Sequence, residues 1–324
     1  MPPIPLYRGI GGLNKVMKMP SIKKVFLSLI SFILISFYAH SANVAIVTSK
    51  ATPFAQDVID QINNALKQSF SQVQINTIYT DDGNFIEKLK NTPYDIICAF
   101  GDLSAQIAKA LPQTPVVFSM AMENSAGDIA AIRKTGDVNL TGVFLSPEPK
   151  EQVNIIKKVL PNIQAIYMFH DGVSKGVCDS ITSLQSTISF NPQKVENANK
   201  IPAAINALSF KNNNAFWILP DSTIYNKDSI FFILNYSMEK RVPIIGFASN
   251  VVKAGALLGY VFDYDDIGIQ TAEIIAQLLN GASAKEISPQ RVRKVGYALN
   301  LKIADYLGIK ITPDVIKGAS EVIR

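Results

Sequence analysis

The residues of this chain that could do chemistry lie in short loops, each of which directly follows an apolar run. Most of them are small or carry a hydroxyl group: Ser49, Thr52, Gly101, Ser104, Ala105, Ser119, Ala121, Ser222, Thr223 and Ala248. Loops of this composition leave backbone N–H groups open at helix N-termini, where a carboxylate or phosphate binds. The pattern predicts a site for a small anionic or polar ligand, and it offers little material for general acid–base catalysis.

Four ionisable residues lie in the same loops. Asp102 and Asp221 could each cap the helix that follows, or contact a ligand, and Asp171 lies beside His170. We expect His170, the one histidine after residue 42, to be a rim residue or a hydrogen-bonding residue at a strand end rather than a catalytic residue. A single histidine excludes a multi-histidine metal site, and neither a P-loop nor a G-x-S-x-G motif is present. We predict no metal, no cofactor and no enzymatic activity.

The acidic run Asp263-Tyr264-Asp265-Asp266 could be mistaken for a metal site. We expect instead that Asp265 or Asp266 caps a helix that begins near Ile267, because acids are favoured at the positive end of a helix. Asp263, at the end of a strand, is the better candidate to pair with a ligand ammonium group. The apolar candidates in the loops are Phe54, Leu103, Met120 and Met122. Of these, Phe54, Met120 and Met122 could line a pocket for a ring or belong to the core.

The first 42 residues differ from the rest. Lys23 and Lys24 precede an uncharged apolar run over residues 25–38, and small residues follow at Ala39, Ser41 and Ala42. This order is typical of a secretory signal peptide, and the run is shorter than the roughly 20 residues that a membrane-spanning helix needs. We expect cleavage after residue 41 or 42, a periplasmic location, and no lipid anchor, because no cysteine lies near the cleavage site.

Removal of this leader changes the charge of the protein. The leader carries 5 of the 31 basic residues and no acidic one, so 26 basic residues remain against 26 acidic ones. A nucleic-acid-binding protein needs a surplus of positive charge to displace counterions, so we predict no nucleic-acid partner. The chain has only two cysteines, Cys98 and Cys178, so disulfides are not its main source of stability. The sequence alone does not decide whether these two cysteines form a disulfide with each other.

The elements that position the loops follow from the apolar pattern. Continuous apolar runs separated by helical stretches are typical of a parallel sheet covered on both faces. The runs form two series, over residues 43–48, 73–79, 94–100 and 115–119, and then 163–169, 214–219, 242–247 and 256–262. The sequence therefore predicts an α/β fold with two doubly wound parallel-sheet lobes. In such sheets a ligand binds beyond the carboxyl ends of the strands, where these loops lie.

Four segments carry a resemblance to a known family. They are residues 115–119 with 139–143, residues 151–161, residues 219–223 with 242–247, and residues 255–281 with 300–309. In their order and spacing, residues 43–324 resemble the substrate-binding proteins of ABC transporters with the type I periplasmic-binding fold. The resemblance is to the family that includes tryptophan- and tyrosine-binding members.

The resemblance implies two lobes joined by a three-crossover hinge that close over a small ligand and deliver it to a membrane permease. On this chain it places lobe one at residues 43–144 with 264–290, and lobe two at residues 145–263 with 291–324. The chain departs from the family at Asp102, where members often carry Thr, and at Glu123-Asn124, where Asp-Pro is frequent. An acid at position 102 would repel a ligand carboxylate unless it points away as a cap.

We therefore expect a monomeric, extracytoplasmic solute-binding component of an ABC importer, with an aromatic or branched amino acid as ligand. Residues 101–105 and 119–122 would hold the polar end of the ligand, and residues 221–223 with Asp263 would contact it from the other lobe. Two alternatives stay open. One is a periplasmic ligand sensor that informs a membrane receptor, and the other is an exported enzyme with Asp102 or His170 as its base.

Overall fold

The strands of the protein form two separate sheets in the computed structural model, which describes residues 41–122, 126–172 and 174–324. The predicted signal peptide, apart from residues 41 and 42, and the Glu123-Asn124 pair lie outside the described residues. No helix in these described ranges has both the length and the apolar character that crossing a membrane requires.

The first series alternates strands with helices. In chain order it comprises β1 (Ala42–Thr48), α1 (Ala55–Ser69), β2 (Val73–Tyr79), α2 (Phe85–Asn91), β3 (Ile96–Phe100), α3 (Leu103–Ala110), β4 (Val116–Ala121), α4 (Ala126–Thr135) and β5 (Leu140–Phe144). The strands β1, β3, β4 and β5 are buried almost throughout, which is why they consist of continuous apolar runs.

The second series repeats this alternation. It comprises α5 (Pro149–Val159), β6 (Ala165–His170), α6 (Lys175–Thr182), β7 (Ser189–Lys194), α7 (Ile201–Asn206), β8 (Asn214–Trp217), α8 (Lys227–Lys240), β9 (Ile244–Ile245), α9 (Ser249–Ala254) and β10 (Leu258–Phe262). The last segment contains α10 (Tyr264–Leu279), β11 (Gln290–Arg291), β12 (Val295–Asn300), α11 (Leu301–Leu307), α12 (Pro313–Lys317) and β13 (Glu321–Ile323). The α10 helix ends with Gly281 just beyond it, in the left-handed region at φ 93°.

The first sheet has the order β2-β1-β3-β4-β5-β11, and each neighbouring pair is parallel. One face packs against α1 and α10, and the other against α2, α3 and α4. The second sheet has the order β7-β6-β8-β9-β10-β12-β13 and is parallel except where β10 meets β12. One face packs against α5, α6, α11 and α12, and the other against α7, α8 and α9. The first sheet with its helices is lobe one, and the second sheet with its helices is lobe two.

The chain passes between the lobes three times. The first connection is residues 145–148 between β5 and α5, the second is Asp263 between β10 and α10, and the third is residues 292–294 between β11 and β12. The predicted fold class, with two doubly wound parallel-sheet lobes and a three-crossover hinge, is therefore confirmed.

Several elements lie where the sequence pattern did not place them. Strand β7 (SFNPQK) was not predicted from the sequence, because this mostly exposed edge strand has no apolar run. Helix α4 was missed because its apolar and polar residues are poorly segregated. The helices α7 and α9 have six residues each, and β13 has three, which is too short for a periodic signal.

The two cysteines do not form a disulfide. Cys98 in β3 and Cys178 in α6 are both buried and free. Burial raises the pKa of each thiol to about 12, so both are protonated at neutral pH.

A close contact between α1 and α10 gives the first prediction. A Cβ atom at Gly268 would lie 2.5 Å from Gln61 Cβ and 2.8 Å from the Val58 carbonyl oxygen. We expect Gly268→Ala to lower the free energy of unfolding by about 1–3 kcal/mol, because the two helices must separate to admit a methyl group. Urea denaturation followed by circular dichroism measures this change.

The matched control is Gly176→Ala in α6, where a Cβ atom would meet nothing within 4 Å. Since Gly inside a helix costs up to about 1 kcal/mol relative to Ala, this control should leave the protein equally or more stable. Equal stability losses in the two variants would contradict the role assigned to the α1–α10 contact.

Candidate ligand-binding site

A cavity of about 730 Å³ lies between the two lobes. Lobe one supplies residues from the loop after β1, the ends of β3 and β4, and the start of α10. Lobe two supplies residues from β10, β13 and the segment after β9. The lining residues are Thr52, Pro53, Phe54, Phe100, Gly101, Met120, Leu145, Phe247, Ala248, Ser249, Asn250, Lys253, Tyr260, Val261, Phe262, Tyr264 and Glu321. The cavity therefore lies where an open α/β sheet is expected to bind ligands.

Aromatic rings form much of the wall. Phe54 stacks on Tyr264 with 4.3 Å between ring centroids and 14° between ring planes, and Phe262 meets Tyr264 edge to face. Phe54 lies directly before α1 and Tyr264 begins α10, so the contact between these helices brings the two rings together. The Phe54 side chain is nevertheless 54% exposed. It offers a flat apolar surface to the cavity.

The backbone of β4 turns another apolar side chain into the cavity. The pairing of β4 with β5 shifts register between Ser119 and Ala121, and Met120 between them has φ 57°. A bulge of this kind re-aims a side chain that would otherwise follow the alternation of the strand. Positive φ is unfavourable for a residue other than glycine, and here it is found at a residue that lines the cavity.

Two charged residues line the cavity, and they pair with each other. Lys253 in α9 lies 2.9 Å from Glu321 in β13, measured from Nζ to the carboxylate oxygen. The Lys253 side chain is 60% exposed and that of Glu321 is 34% exposed. An otherwise largely apolar cavity therefore carries one cation and one anion side by side. Sequence reasoning missed both residues, since neither follows directly after a buried strand.

Five of the predicted site residues line this cavity: Thr52, Phe54, Gly101, Met120 and Ala248. Ser49 lies in an adjoining pocket of about 560 Å³ together with Thr52 and Phe54, and its hydroxyl donates to Asp81. The apolar candidates that do not line the cavity are Leu103 and Met122, which are half-buried, and Ala105 and Ala121, which are buried.

The hydroxyl groups that we expected to face the ligand in lobe one are used inside the lobe. The Ser104 hydroxyl is buried and donates to the Gly101 carbonyl oxygen at 2.9 Å. The Ser119 hydroxyl is buried and shares a 2.9 Å hydrogen bond with Thr271 of α10. Asp102 is exposed directly before α3 and makes no side-chain cap hydrogen bond there. Neither the Ser104 hydroxyl group nor the Ser119 hydroxyl group lines the cavity.

The segments that follow β6 and β8 bring Asp171, Ser174 and Asp221 together beside His170 in lobe two. The buried Asp221 carboxylate accepts hydrogen bonds from the Thr223 N–H at 2.9 Å, from the Asp171 N–H at 3.3 Å, and from the Ser174 hydroxyl. Asp171 accepts a hydrogen bond from the Ser174 N–H at 2.9 Å. His170 is buried beside them, with Nδ1 against the Asp171 carbonyl oxygen. The cluster joins the two loops, and the exposed Ser222 and Thr223 lie at its outer side.

The helix after the second connection is capped differently from the prediction. Asp263 precedes α10, and its carboxylate accepts the Asp266 N–H at 2.9 Å. The expectation that Asp265 or Asp266 caps this helix was wrong, because the helix begins at Tyr264 and not near Ile267.

Asp266 instead pairs with the third connection. Its carboxylate lies 3.0 Å from Arg293 and 2.9 Å from Lys294, and Arg293 also pairs with Glu273 at 2.8 Å. Burial raises the pKa of Asp266, but the hydrogen bonds and charges of Arg293 and Lys294 outweigh it and lower the pKa below the usual 3.8. These ion pairs join the third connection to the helix that follows the second.

The described ranges contain no group of three or more His, Cys, Asp or Glu residues that could hold a metal ion.

The family model described as "ABC transporter substrate binding protein" matches residues 57–323. The chain belongs to this family. Substrate-binding proteins of this family are extracytoplasmic and bind solutes rather than transform them.

Curated relatives of this substrate-binding protein are distant in sequence. A tyrosine-binding protein of Clostridioides difficile (strain R20291) is 24% identical over 234 residues, which cover 69% of this chain and 66% of that protein. A protein of Rickettsia prowazekii (strain Madrid E) that is described as uncharacterized is 20% identical over 87% of this chain and 92% of its own.

Two solved structures share the fold of this substrate-binding protein. One is the ABC domain from Streptococcus pneumonia in complex with L-Trp, with a TM-score of 0.62, 21% identity, and coverage of 87% of this chain and 100% of that one. The other is the ligand-free, open structure of a substrate-binding protein with adhesive properties from Clostridium difficile. Its TM-score is 0.67 and its identity 17%, with 87% of this chain and 99% of that one covered.

The Asp266 ion pairs predict a pH-dependent stability. We expect Asp266→Asn to lower the free energy of unfolding at neutral pH by about 1.5–3 kcal/mol, the range for hydrogen bonds to charged groups. Because the folded-state pKa lies below the usual 3.8, the ion pairs stabilise the protein above that value and are lost as the pH falls through the lowered pKa. The difference between variant and unchanged protein should therefore disappear in strongly acidic solution.

Asp265→Asn is the matched control, because it removes the same charge from the same first turn of α10 while Asp265 is exposed. Its effect should stay within about 0.5 kcal/mol. Urea denaturation at a series of pH values tests both variants. Parallel pH curves for Asp266→Asn and the unchanged protein would contradict the assignment.

Proposed function

We propose that this substrate-binding protein is the solute-binding component of an ABC importer and that it clamps an aromatic amino acid between its two lobes. The observation that carries this proposal is the 730 Å³ cavity, which is lined by aromatic rings from both lobes and holds one cation beside one anion. Its volume falls within the range of about 300–1,000 Å³ found for small-molecule sites. A ligand that contacts both lobes stabilises the closed form over the open one.

The exposed face of Phe54 is the proposed platform for the ligand ring. The Tyr264 ring stacks on one face of the Phe54 ring, so this contact holds Phe54 in place before a ligand binds. Aromatic pairs contribute about 0.5–1.5 kcal/mol beyond the burial of their area. Micromolar affinity requires roughly 8 kcal/mol in total, which the burial of one ring and a few charged hydrogen bonds supply.

The Lys253–Glu321 pair is the proposed partner for the charged end of the ligand. An amino acid carries a carboxylate and an ammonium group on one carbon atom, and the cavity holds a cation and an anion 2.9 Å apart. We propose that Lys253 contacts the carboxylate and Glu321 the ammonium group. A ligand with one charge alone leaves one member of the pair without a new partner, so the pair favours a zwitterion.

The polar residues of the loops take a different role in this proposal. Ser104, Ser119 and Asp221 have their hydroxyl or carboxylate groups in hydrogen bonds within their own lobe, and the Asp263 carboxylate, in the second connection, accepts the Asp266 N–H. We propose that they hold the loops and the start of α10 in shape and do not contact the ligand. Ser222 and Thr223 are exposed and remain candidates to reach it when the lobes close.

The composition of the first 42 residues supports the remaining parts of the proposal. A positively charged start, a short apolar run and small residues before Asn43 favour export through a cleaved signal peptide, and so a periplasmic location. The proposed partner of the exported protein is the membrane permease of an ABC transporter, which it meets as a monomer.

A variant of Phe54 tests the platform. A thermal-shift screen of the standard amino acids with the purified protein should give its largest stabilisation with an aromatic one. We expect Phe54→Ala to weaken binding of that amino acid by about tenfold or more, because loss of a stacked ring costs at least about 1.4 kcal/mol. Isothermal titration calorimetry measures the affinity.

Phe231→Ala is the matched control, since Phe231 in α8 is 53% exposed and lies outside the cavity. This control should bind the same amino acid as the unchanged protein does. No stabilisation by any amino acid, or equal binding by both variants, would refute the platform.

The charged pair is tested with ligands that lack one charge. If L-tryptophan is the hit, tryptamine lacks the carboxylate and indole-3-propionate lacks the ammonium group. We expect Lys253→Gln to weaken binding of L-tryptophan by about tenfold while tryptamine binds as before, since one charge-assisted contact is worth about 1.5 kcal/mol. Glu321→Gln should also weaken binding of L-tryptophan by about tenfold, whereas indole-3-propionate, which lacks the ammonium group, should bind as before. Unchanged L-tryptophan affinity in both variants would show that the pair is only structural.

A further inference from the structure

A second cavity, of about 720 Å³, lies at the opposite edge of lobe two. It is lined by the segments that precede β6, β8 and β9, together with the end of α11. These three strands are parallel, so their amino ends share one edge of the sheet and their carboxyl ends share the other. This cavity is therefore separate from the one between the lobes, and a ligand bound in it is independent of the proposed function.

The lining combines positive charge with apolar surface. Four basic residues line it: Lys211, Lys240, Arg241 and Lys310. None of the lining residues, all of which lie within the described ranges, is acidic. The apolar part of the wall consists of Leu160, Ile163, Phe210, Pro243, Leu307 and Ile309. An anion attached to an apolar group matches both parts of this lining.

Two of the four cations already have partners. Lys240 pairs with Glu239 at 2.6 Å. The Arg241 guanidinium group lies over the Tyr306 ring, 5.4 Å from its centroid, and donates to the Tyr306 carbonyl oxygen. Lys211 and Lys310 have no ion pair with any carboxylate in the described ranges, although both are exposed.

The ends of nearby helices do not cancel this charge. The last residues of α5, α8 and α11 line the cavity, and each helix C-terminus carries about half a negative charge. Together with Glu239, these ends offset fewer charges than the four cations provide. By this count the surroundings of the cavity carry more positive than negative charge, and Lys211 and Lys310 supply the excess.

We propose that this cavity binds an organic phosphate monoester, with the phosphate between Lys211 and Lys310 and the apolar group against Phe210 and Ile309. A phosphate monoester carries about −1.5 to −2 charges at neutral pH, which two lysines balance. Lysine ammonium groups are compact charges with three donors each, and they bind phosphate without a fixed geometry. Such a monoester occurs both as a soluble metabolite and as a lipid headgroup.

Hexyl phosphate is the probe, and isothermal titration calorimetry with the purified protein is the measurement. Inorganic phosphate tests the charge alone, and 1-hexanol tests the apolar group alone. We expect hexyl phosphate to bind more tightly than either, since both parts of the lining contribute. Lys211→Gln with Lys310→Gln should weaken its binding by about tenfold or more, because two charge-assisted contacts are lost.

Lys200→Gln with Lys227→Gln is the matched control, because both lysines are exposed in lobe two and neither lines the cavity. This control, and Phe54→Ala in the cavity between the lobes, should bind hexyl phosphate as the unchanged protein does. Absence of hexyl phosphate binding, or equal affinity in the Lys211/Lys310 variant, overturns the proposal.

Vesicles distinguish the two sources of the phosphate. Co-sedimentation with phosphatidylcholine vesicles that contain phosphatidic acid, lost in the Lys211/Lys310 variant and absent with phosphatidylcholine alone, assigns the cavity to a lipid headgroup. Binding of hexyl phosphate without co-sedimentation assigns it to a soluble ester. Both outcomes support the site.

Discussion

The contact between α1 and α10 is the constraint on which the candidate site depends. The chain leaves lobe one after β5, builds most of lobe two, and returns at Asp263 to a helix that packs on α1. The absence of a side chain at Gly268 lets the backbones of these helices approach closely. Phe54 directly precedes α1 and Tyr264 is the first residue of α10. The close packing of the two helices therefore also places these two stacked rings at the cavity wall. One packing contact therefore fixes both the return of the chain and the shape of the site.

Charge pairing at the same helix constrains the connections between the lobes. Asp266 lies in the first turn of α10, directly after the second connection, and it holds Arg293 and Lys294 of the third. Two of the three connections are therefore attached to lobe one at one point. Arg293 and Lys294 remain 43% and 61% exposed, so water screens these pairs and their contribution stays moderate. Such pairs hold the connections in place around one buried carboxylate, that of Asp266.

The sequence pattern predicted the fold better than the site. Buried strands such as β3 are unbroken apolar runs, whereas the exposed edge strand β7 has none, and only the first kind of strand has a distinctive signal. At the site, small polar residues after each strand suggested ligand donors. Ser104 and Asp221 instead complete the hydrogen bonds of their own loops, which single residues cannot reveal. Lys253 and Glu321 were missed because their pairing depends on the packing of α9 near β13, which no local pattern encodes.

In the proposed site, the apolar wall contributes most to affinity and the charged pair contributes most to selectivity. A ring buries about 150–250 Å², which at about 25 cal/mol per Å² is worth roughly 4–6 kcal/mol. A single hydrogen bond contributes only about 0.5–1.5 kcal/mol net, because water hydrogen-bonds the free partners equally well. The wall of the proposed site is made largely of Phe54, Phe100, Phe247 and Phe262, so in the proposed function most of the binding free energy comes from the apolar part of the ligand. In the proposed function the Lys253–Glu321 pair then discriminates among ligands of similar ring size, because a ligand that separates the pair without replacing both contacts leaves a charge unpaired.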